Sequence, residues 1–271
     1  MFPKLLSVPI PDFLQGIFPS TFTIHSYGLM IALGVIVSFY VILNLSKHLG
    51  INSEQLSELF VWSIVSAFVG GKLFFFLEDI QKYIANPDLI GGAMRGGFVF
   101  YGSLLFTIPT IIFWLRKKNI MVRPFLDILA IAGPILHSFG RVGCFLAGCC
   151  HGKVCDSWIG VTFSHPDTLA DFKNVPLSPT QLFDIGVNMV ILLTIIFLRN
   201  KKQFEGQLFL IYLMIYAVGR SIVENYRGDD ARGFLFDGLL SHSQFIAIVI
   251  ILACGFVWRN WRNNTMMQDL S

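Results

Sequence analysis

Seven continuous apolar stretches, each long enough to cross a lipid bilayer, constrain this chain more than any other feature. They cover residues 24–45, 58–77, 97–115, 124–148, 180–198, 206–225 and 243–258. A bilayer core needs about 20 apolar residues per helix. Hydrocarbon offers an open backbone no hydrogen-bond partner, so only helices and closed barrels cross it. Barrel strands alternate apolar and polar residues, and these runs do not. The expected fold is an all-α membrane protein with seven transmembrane helices, forming a single integral-membrane domain over residues 1–271. Composition agrees, because 54% of the residues are hydrophobic and 14% charged, against about 25% charged in a soluble domain. A polar-skinned soluble domain and a disordered chain are therefore excluded. The net charge of +3 is too small to point to nucleic acid. Residues 1–20 carry one lysine and four prolines without the apolar core and cleavage site of a signal peptide. They read as a short amphipathic lead-in lying against the membrane.

Basic residues set the expected orientation. With the first helix starting outside, the inner segments hold Lys47, Arg116, Lys117, Lys118, Arg123, Arg199, Lys201, Lys202, Arg259 and Arg262. The outer segments hold Lys4, Lys82, Arg95, Lys153, Lys173, Arg227 and Arg232. Ten inner cations against seven outer ones, with the dense runs Arg116-Lys117-Lys118 and Arg199-Asn200-Lys201-Lys202 both inside, predict the N-terminus outside and the C-terminus in the cytoplasm.

Three further cations, Lys72, Arg141 and Arg220, fall inside the apolar stretches, each close to an outer end in this topology. A charge there costs several kcal/mol, about 3 on insertion scales, so it faces a site or a partner. Lys72 has the alternative of snorkelling to the interface, and Arg220 of pairing with Glu224 one turn on. Arg141 has no acid within a turn: its neighbours there are His137, Ser138, Cys144 and Phe145. It needs a ligand or a tertiary partner. Arginine grips phosphate bidentately, and the phosphate available at that depth is a phospholipid headgroup.

The densest motif is Gly140-Arg141-Val142-Gly143-Cys144-Phe145-Leu146-Ala147-Gly148-Cys149-Cys150-His151-Gly152. Its glycines allow close backbone approach or positive φ, and the helix is expected to break across it into an outer loop. This segment resembles the signature of the prolipoprotein diacylglyceryl transferase family, Gly-Arg-x-Gly-Asn-Phe-x-Asn-Gly-Glu, at Gly140, Arg141, Gly143, Phe145 and Gly148, and later at Gly152. Tyr27-Gly28-Leu29-Met30 is similar to the family's opening Tyr-Gly-Leu-Met, and Gly70-Gly71-Lys72-Leu73 to its Gly-Gly-Arg-Leu. Pro179-Thr180-Gln181-Leu182-Phe183-Asp184 is similar to Pro-Ser-Gln-Leu-Tyr-Glu. Arg220, Glu224 and Arg227 match Arg-x-x-x-Glu-x-x-Arg, and Gln244 matches the Gln opening the last helix. The ordered set runs from Tyr27 to Gln244.

The resemblance implies a multi-pass enzyme of the bacterial inner membrane. Such an enzyme moves a diacylglyceryl group from phosphatidylglycerol to the lipobox cysteine of a prolipoprotein signal peptide, the first step of lipoprotein maturation. Its partners are then phosphatidylglycerol, the signal peptide and the lipid bilayer, with no nucleic acid, and its cavity opens sideways near the outer leaflet. On this reading Arg141 and Lys72, with Gly143 and Gly152, bind phosphatidylglycerol. Tyr27, Tyr101, Arg220 and Glu224 are catalytic, with Glu224 orienting Arg220. No cofactor and no metal is assigned. The chain departs from the family pattern in Cys144, Ala147 and Cys149, which stand for Asn, Asn and Glu. Tyr101 in Phe100-Tyr101-Gly102-Ser103 replaces the family's His, and Ser178 replaces another. With that His gone, His137, one turn before Arg141, is a possible base, and His25 is a weaker one. Asp184 is expected to cap its helix or bind an arginine. The segment 227–233 reads as a solvated loop or a gate.

Cys144, Cys149, Cys150 and Cys155 cluster around His151, with Cys254 apart in the last stretch. Three readings stand: a disulfide from Cys149 or Cys150 to Cys155, a Cys/Cys/His metal site without zinc-ribbon spacing, or free thiols. Two other functions compete with the transferase. A transporter also carries intramembrane charges, but it usually shows repeated halves, and none is visible here. A thiol- or metal-dependent membrane protein would use the cysteine cluster, yet there is no Cys-x-x-Cys.

Overall fold

In the computed structural model the described residues are 2–9, 21–95, 97–227, 234–235 and 240–269, with only the backbone described at a few of them, Tyr101 included. In chain order the elements begin with β1 (Lys4–Pro9), β2 (Thr21–His25), α1 (Ser26–Leu45), α2 (Ser53–Glu78), α3 (Ile80–Ala85), α4 (Leu89–Arg95), α5 (Phe100–Lys117) and α6 (Val122–Ala147). They continue with β3 (Val161–Thr162), β4 (Pro176–Leu177), α7 (Thr180–Leu198), α8 (Gln207–Glu224), β5 (Phe234–Leu235), β6 (Leu240–Ser241) and α9 (His242–Asp269). Six of them, α1, α2, α6, α7, α8 and α9, are long and apolar enough to cross a membrane. The stretch 97–115 forms α5, a helix of 18 residues. Large apolar side chains stay exposed along the helices, such as Phe197 at 67% and Leu252 at 69%, as a lipid-facing surface requires.

The helices are not alone. Three two-stranded antiparallel sheets, β1 with β2, β3 with β4 and β5 with β6, lie among the described residues, which qualifies the all-α expectation. The expected amphipathic lead-in is instead strand β1 over Lys4–Pro9, registered on β2; residues 10–20 lie outside the described residues. The first helix starts at Ser26, two residues later than expected, because Ile24 and His25 belong to β2. Ser26 is fully buried, and its amide and hydroxyl both donate to the Pro3 carbonyl.

The chain divides into two compact units, Leu43–Phe125 and the remainder, Met1–Ile42 with Leu126–Ser271. In the first of these, α2 starts five residues earlier than the apolar run. Asn52 supplies a capping box: its side chain accepts from the Gln55 amide at 2.8 Å, and the Gln55 side chain accepts from the Asn52 amide at 3.2 Å. These bonds satisfy amides that a bare helix start leaves open. α2 and α5 cross at glycine. A Cβ on Gly70 would sit 2.3 Å from the Gly102 carbonyl oxygen, and one on Gly102 would sit 2.4 Å from that of Gly70. Small residues let membrane helices approach this closely. Glu58 and Lys118 pair at 2.8 Å at the other end of the two helices.

In the larger unit α6 is the most buried of the candidate spans, 39% of its apolar window against 11% for α9. Ser38 of α1 donates to the Ala132 carbonyl, and Gly34 of α1 packs against Phe139 of α6. The start of α8 is held from α6 by Asp127. Its carboxylate accepts from the Gly206 amide at 3.0 Å and the Phe209 amide at 3.2 Å, and it pairs with Lys202 at 3.1 Å. Gly206 has φ +90°, and a Cβ there would also meet the Trp261 indole.

Candidate functional site: an arginine and thiol cluster at the end of α6

The glycine-rich motif does not break where its glycines first appear. Gly140 and Gly143 lie inside α6, and the helix ends at Ala147. Gly148 takes φ +83°. Its amide lies 3.3 Å from the Phe145 carbonyl, and the Cys149 amide bonds the Cys144 carbonyl at 3.1 Å. This is a Schellman ending, which needs a left-handed residue at that place. A second left-handed residue, Cys150 at φ 60°, turns the chain back. The loop is then sewn to its neighbours. Gln181 Nε2 donates to the Cys149 carbonyl at 2.7 Å, Thr180 Oγ1 to the Cys150 carbonyl at 2.8 Å, and the Gly152 amide to the Ser178 carbonyl at 2.8 Å. A Cβ on Gly152 would lie 2.1 Å from the Tyr226 carbonyl oxygen, so this glycine seats the loop against the end of α8. Gly143 has the same effect toward α1, since its Cβ would lie 3.2 Å from the Tyr27 Cα.

Arg141 finds its tertiary partner in Asp184 of α7, as the α7 expectation allowed. Arg141 Nε lies 3.0 Å from Asp184 Oδ2, with side-chain exposures of 16% and 3%. The same Nε–H donates to His137 Nε2 at 3.2 Å. His137 Nδ1 in turn lies 3.2 Å from the Asn188 amide nitrogen, which donates to the Asp184 carbonyl at 2.7 Å. The guanidinium is therefore held from behind through Nε. Among the described residues its two terminal nitrogens make no hydrogen bond. The Nε2 lone pair of His137 is taken up by the Arg141 Nε–H.

Arg220 pairs with Glu224 along α8, at side-chain exposures of 15% and 12%, which is the local pairing weighed from the sequence. Arg220 is also within electrostatic reach of His137 and Asp184. Arg227, counted from the sequence as an outer-loop residue, is 6% exposed and acts on Asp184 as well; residues 228–233, the expected loop or gate, lie outside the described residues. Tyr27, 43% exposed, faces this cluster within electrostatic reach of Arg141, Cys144, Cys149 and Cys150. Of the other expected residues, Lys72 belongs to the smaller unit, where its ammonium donates to the Ala93 carbonyl at 3.1 Å. The Tyr101 side chain lies outside what is described. His25 is exposed in β2, registered on Lys4.

Asn188 and Tyr216 were not expected. Tyr216 stacks at a tilt on His137, ring centroids 5.5 Å apart. Asn188 carried a readable signal: with Gln181 and Asp184 it makes a polar stripe at helical spacing in an otherwise apolar run.

The cysteines correct two expectations. All five are free, so no disulfide joins Cys149 or Cys150 to Cys155. His151 is no part of a sulphur site, because Nδ1 meets the Gly152 carbonyl oxygen and Nε2 points to Asp171. The sulphur atoms of Cys144, Cys149 and Cys150 instead lie within 4.8 Å of one another. Farther along the loop, the Lys4 ammonium, 3.0 Å from Asp167, holds that carboxyl below the usual carboxylate range. This surface tether is intact at neutral pH and lost as pH falls through the depressed value.

A family model described as prolipoprotein diacylglyceryl transferase matches residues 15–259. A protein of Clostridium tetani named phosphatidylglycerol–prolipoprotein diacylglyceryl transferase is 34% identical over 235 residues, covering 87% of this chain and 92% of its own. A second, so named with the number 2, from Clostridium perfringens, is 34% identical over 84% of this chain and 88% of its own. A Legionella pneumophila protein of the first name is 30% identical over 87% and 91%. With a match over this much of its length, the chain belongs to the prolipoprotein diacylglyceryl transferase family.

Proposed function

We propose that this protein transfers a diacylglyceryl group from phosphatidylglycerol to the lipobox cysteine thiol of a prolipoprotein signal peptide, as a multi-pass enzyme of the bacterial inner membrane. The observation that carries the reading is Arg141. Its Nε is fixed by Asp184 and His137, while the fork of its terminal nitrogens is left for an anion, and a guanidinium fork fits a phosphate bidentately. Arg220 and Arg227 add positive field around the same carboxylate.

The reaction breaks the bond between a glycerol carbon and a phosphate oxygen, and negative charge grows on that oxygen as it leaves. Preorganised cations lower the barrier by meeting that charge. Arg141 holds the phosphate, Arg220 stabilises the leaving oxygen, and Glu224 aims Arg220. Tyr27 hydrogen-bonds at the reacting centre. Gly143 and Gly152 serve the lipid site by letting α1 and the end of α8 close in around it. Lys72 and Tyr101, residues of the smaller unit, keep the roles the family resemblance implies for them, lipid binding and catalysis. The finer architecture belongs to the same proposal: one membrane domain of seven spans, N-terminus outside, C-terminus cytoplasmic, with a cavity open sideways to the outer leaflet. The inner excess of Lys and Arg supports the orientation.

The test is incubation of the purified protein with phosphatidylglycerol and a lipobox peptide, followed by mass spectrometry of the peptide. The cysteine gains one diacylglyceryl group with the intact protein, and Arg141→Ala abolishes the gain. A near-normal rate in that variant removes the core of the mechanism.

A further inference from the structure

Two of the three residues at which this chain departs from the family signature, Cys144 and Cys149, meet a third cysteine, Cys150, in space. Their sulphur atoms lie within 4.8 Å of one another. In a tetrahedral zinc thiolate site the Zn–S bonds are about 2.3 Å, which puts sulphurs about 3.8 Å apart. An inward movement of about an ångström closes the gap. The backbone that carries the thiols is already fixed. The Schellman turn at Gly148 and the left-handed Cys150 bring the last two cysteines back over Cys144. Gln181 and Thr180 hold the carbonyls of Cys149 and Cys150, the kind of outer support that orients metal ligands.

Charge and access both fit. Three thiolates around a divalent ion leave one net negative charge, and Arg141 and Arg227 lie within electrostatic reach of Cys150. Cys144 is buried while Cys150 is exposed, so one side of the triangle is open. We propose that Cys144, Cys149 and Cys150 form a three-thiolate site for a soft divalent metal, zinc, with its fourth position open to the acceptor cysteine thiol.

Three protein ligands plus one open position is the pattern of a catalytic rather than a structural zinc. A thiol that coordinates such an ion loses its proton outright. That supplies what the chain lacks where the family's His is replaced by Tyr101. The acceptor thiol binds the metal as thiolate and its proton goes to water. The sulphur then attacks the glycerol carbon of phosphatidylglycerol. A C–S bond forms, the C–O bond to phosphate breaks, and the electron pair leaves on the phosphate oxygen as glycerol phosphate. Nothing is oxidised or reduced. The activation step rests on the transferase reading above; the metal site itself does not.

The experiment uses the full chain in detergent with reductant, stripped by chelator and titrated with Zn²⁺ alone or Co²⁺ alone. Elemental analysis after desalting is expected to give about one zinc per chain, and the cobalt form a thiolate charge-transfer band of three Co–S bonds. Cys144→Ser, Cys149→Ser and Cys150→Ser each weaken zinc binding by more than about tenfold, and Cys155→Ser leaves it unchanged. The wild-type cobalt spectrum stands as evidence even if a variant misfolds. Absence of the charge-transfer band, zinc retained in all three variants, or an intact mass showing a disulfide within the trio in place of metal overturns the site. Transfer to a lipobox peptide is then compared between stripped and zinc-loaded protein. A rate about a hundredfold higher with zinc matches the contribution of a lost base, and equal rates overturn the activation step. Transfer without any zinc binding overturns the site and spares the transferase reading. Zinc on the three sulphurs with no transfer in either form does the reverse.

Discussion

Arg141 shows how one residue is placed by two elements. α6 carries it, Asp184 of α7 neutralises it and His137 fixes its Nε. Arg141→Lys keeps the charge but loses both the Nε contact and the planar fork. Charge-assisted hydrogen bonds of this kind are each worth about 1.5–3 kcal/mol, so transfer is expected to fall about ten- to a hundredfold, read by peptide mass spectrometry under initial-rate conditions. Asp184→Asn removes the carboxylate and keeps the fork. It is expected to lower the rate less than Arg141→Ala does, and an equal loss would make Asp184 a direct participant. The need of Arg141 for a partner was legible in the sequence because no acid lies within a turn of it. That Asp184 meets that need was not decided there, since the sequence left capping and arginine binding both open.

At the scale of elements, the facing stripes of α6, α7 and α8 do the organising. Beyond Thr180, the buried positions of α7, Gln181, Asp184, Asn188, Ile191 and Ile195, follow a single helical face that is polar at one end and apolar at the other. α6 answers with His137, Arg141 and Cys144 at the spacing of one face. The other end of α8 depends on Asp127. Replacing it by Ala leaves Lys202 with Glu205 alone and removes the acceptor of the Gly206 and Phe209 amides, and a buried donor left without its partner costs about 1–3 kcal/mol. A lower melting midpoint in detergent is expected, and an unchanged midpoint would show that the cap is dispensable. The crossing of α2 and α5 is as narrow as two glycines permit. Gly70→Leu or Gly102→Leu drives a side chain into backbone and is expected to abolish the folded, monodisperse fraction in size-exclusion chromatography. The sequence offered Gly70-Gly71 as part of a motif. Only the packing shows that both serve close approach, since a Cβ on Gly71 would lie 2.7 Å from Ser103 Oγ of α5.

Across the whole molecule, the proposed orientation rests on arithmetic on loops. A reporter fused after Leu270 is expected to be active only in its cytoplasmic form, and activity confined to the outside would reverse the orientation. Helix positions were readable because hydrocarbon demands about 20 apolar residues wherever a helix crosses; each predicted stretch falls on a helix, but α2 starts at Ser53 rather than Glu58 and α9 runs on to Asp269, past the expected end at Trp258. The misjudged ends have local causes: the Asn52 capping box starts α2 early, and β2 takes Ile24 and His25 from α1. The glycine motif was misjudged for another reason. Composition cannot tell a glycine that lets helices approach from one that ends a helix, and here Gly143 does the first and Gly148 the second. By itself, then, the sequence determined the solvent this protein lives in, its helical character and the residues with which its chemistry is built, because burial in lipid selects residue type stretch by stretch. The tertiary structure alone decided which of those residues meet. Asp184 reaches Arg141, His151 turns away from the cysteines and Cys144 joins Cys149 and Cys150. Contacts between helices depend on rotation and on where a turn curls, and no one-dimensional pattern records either.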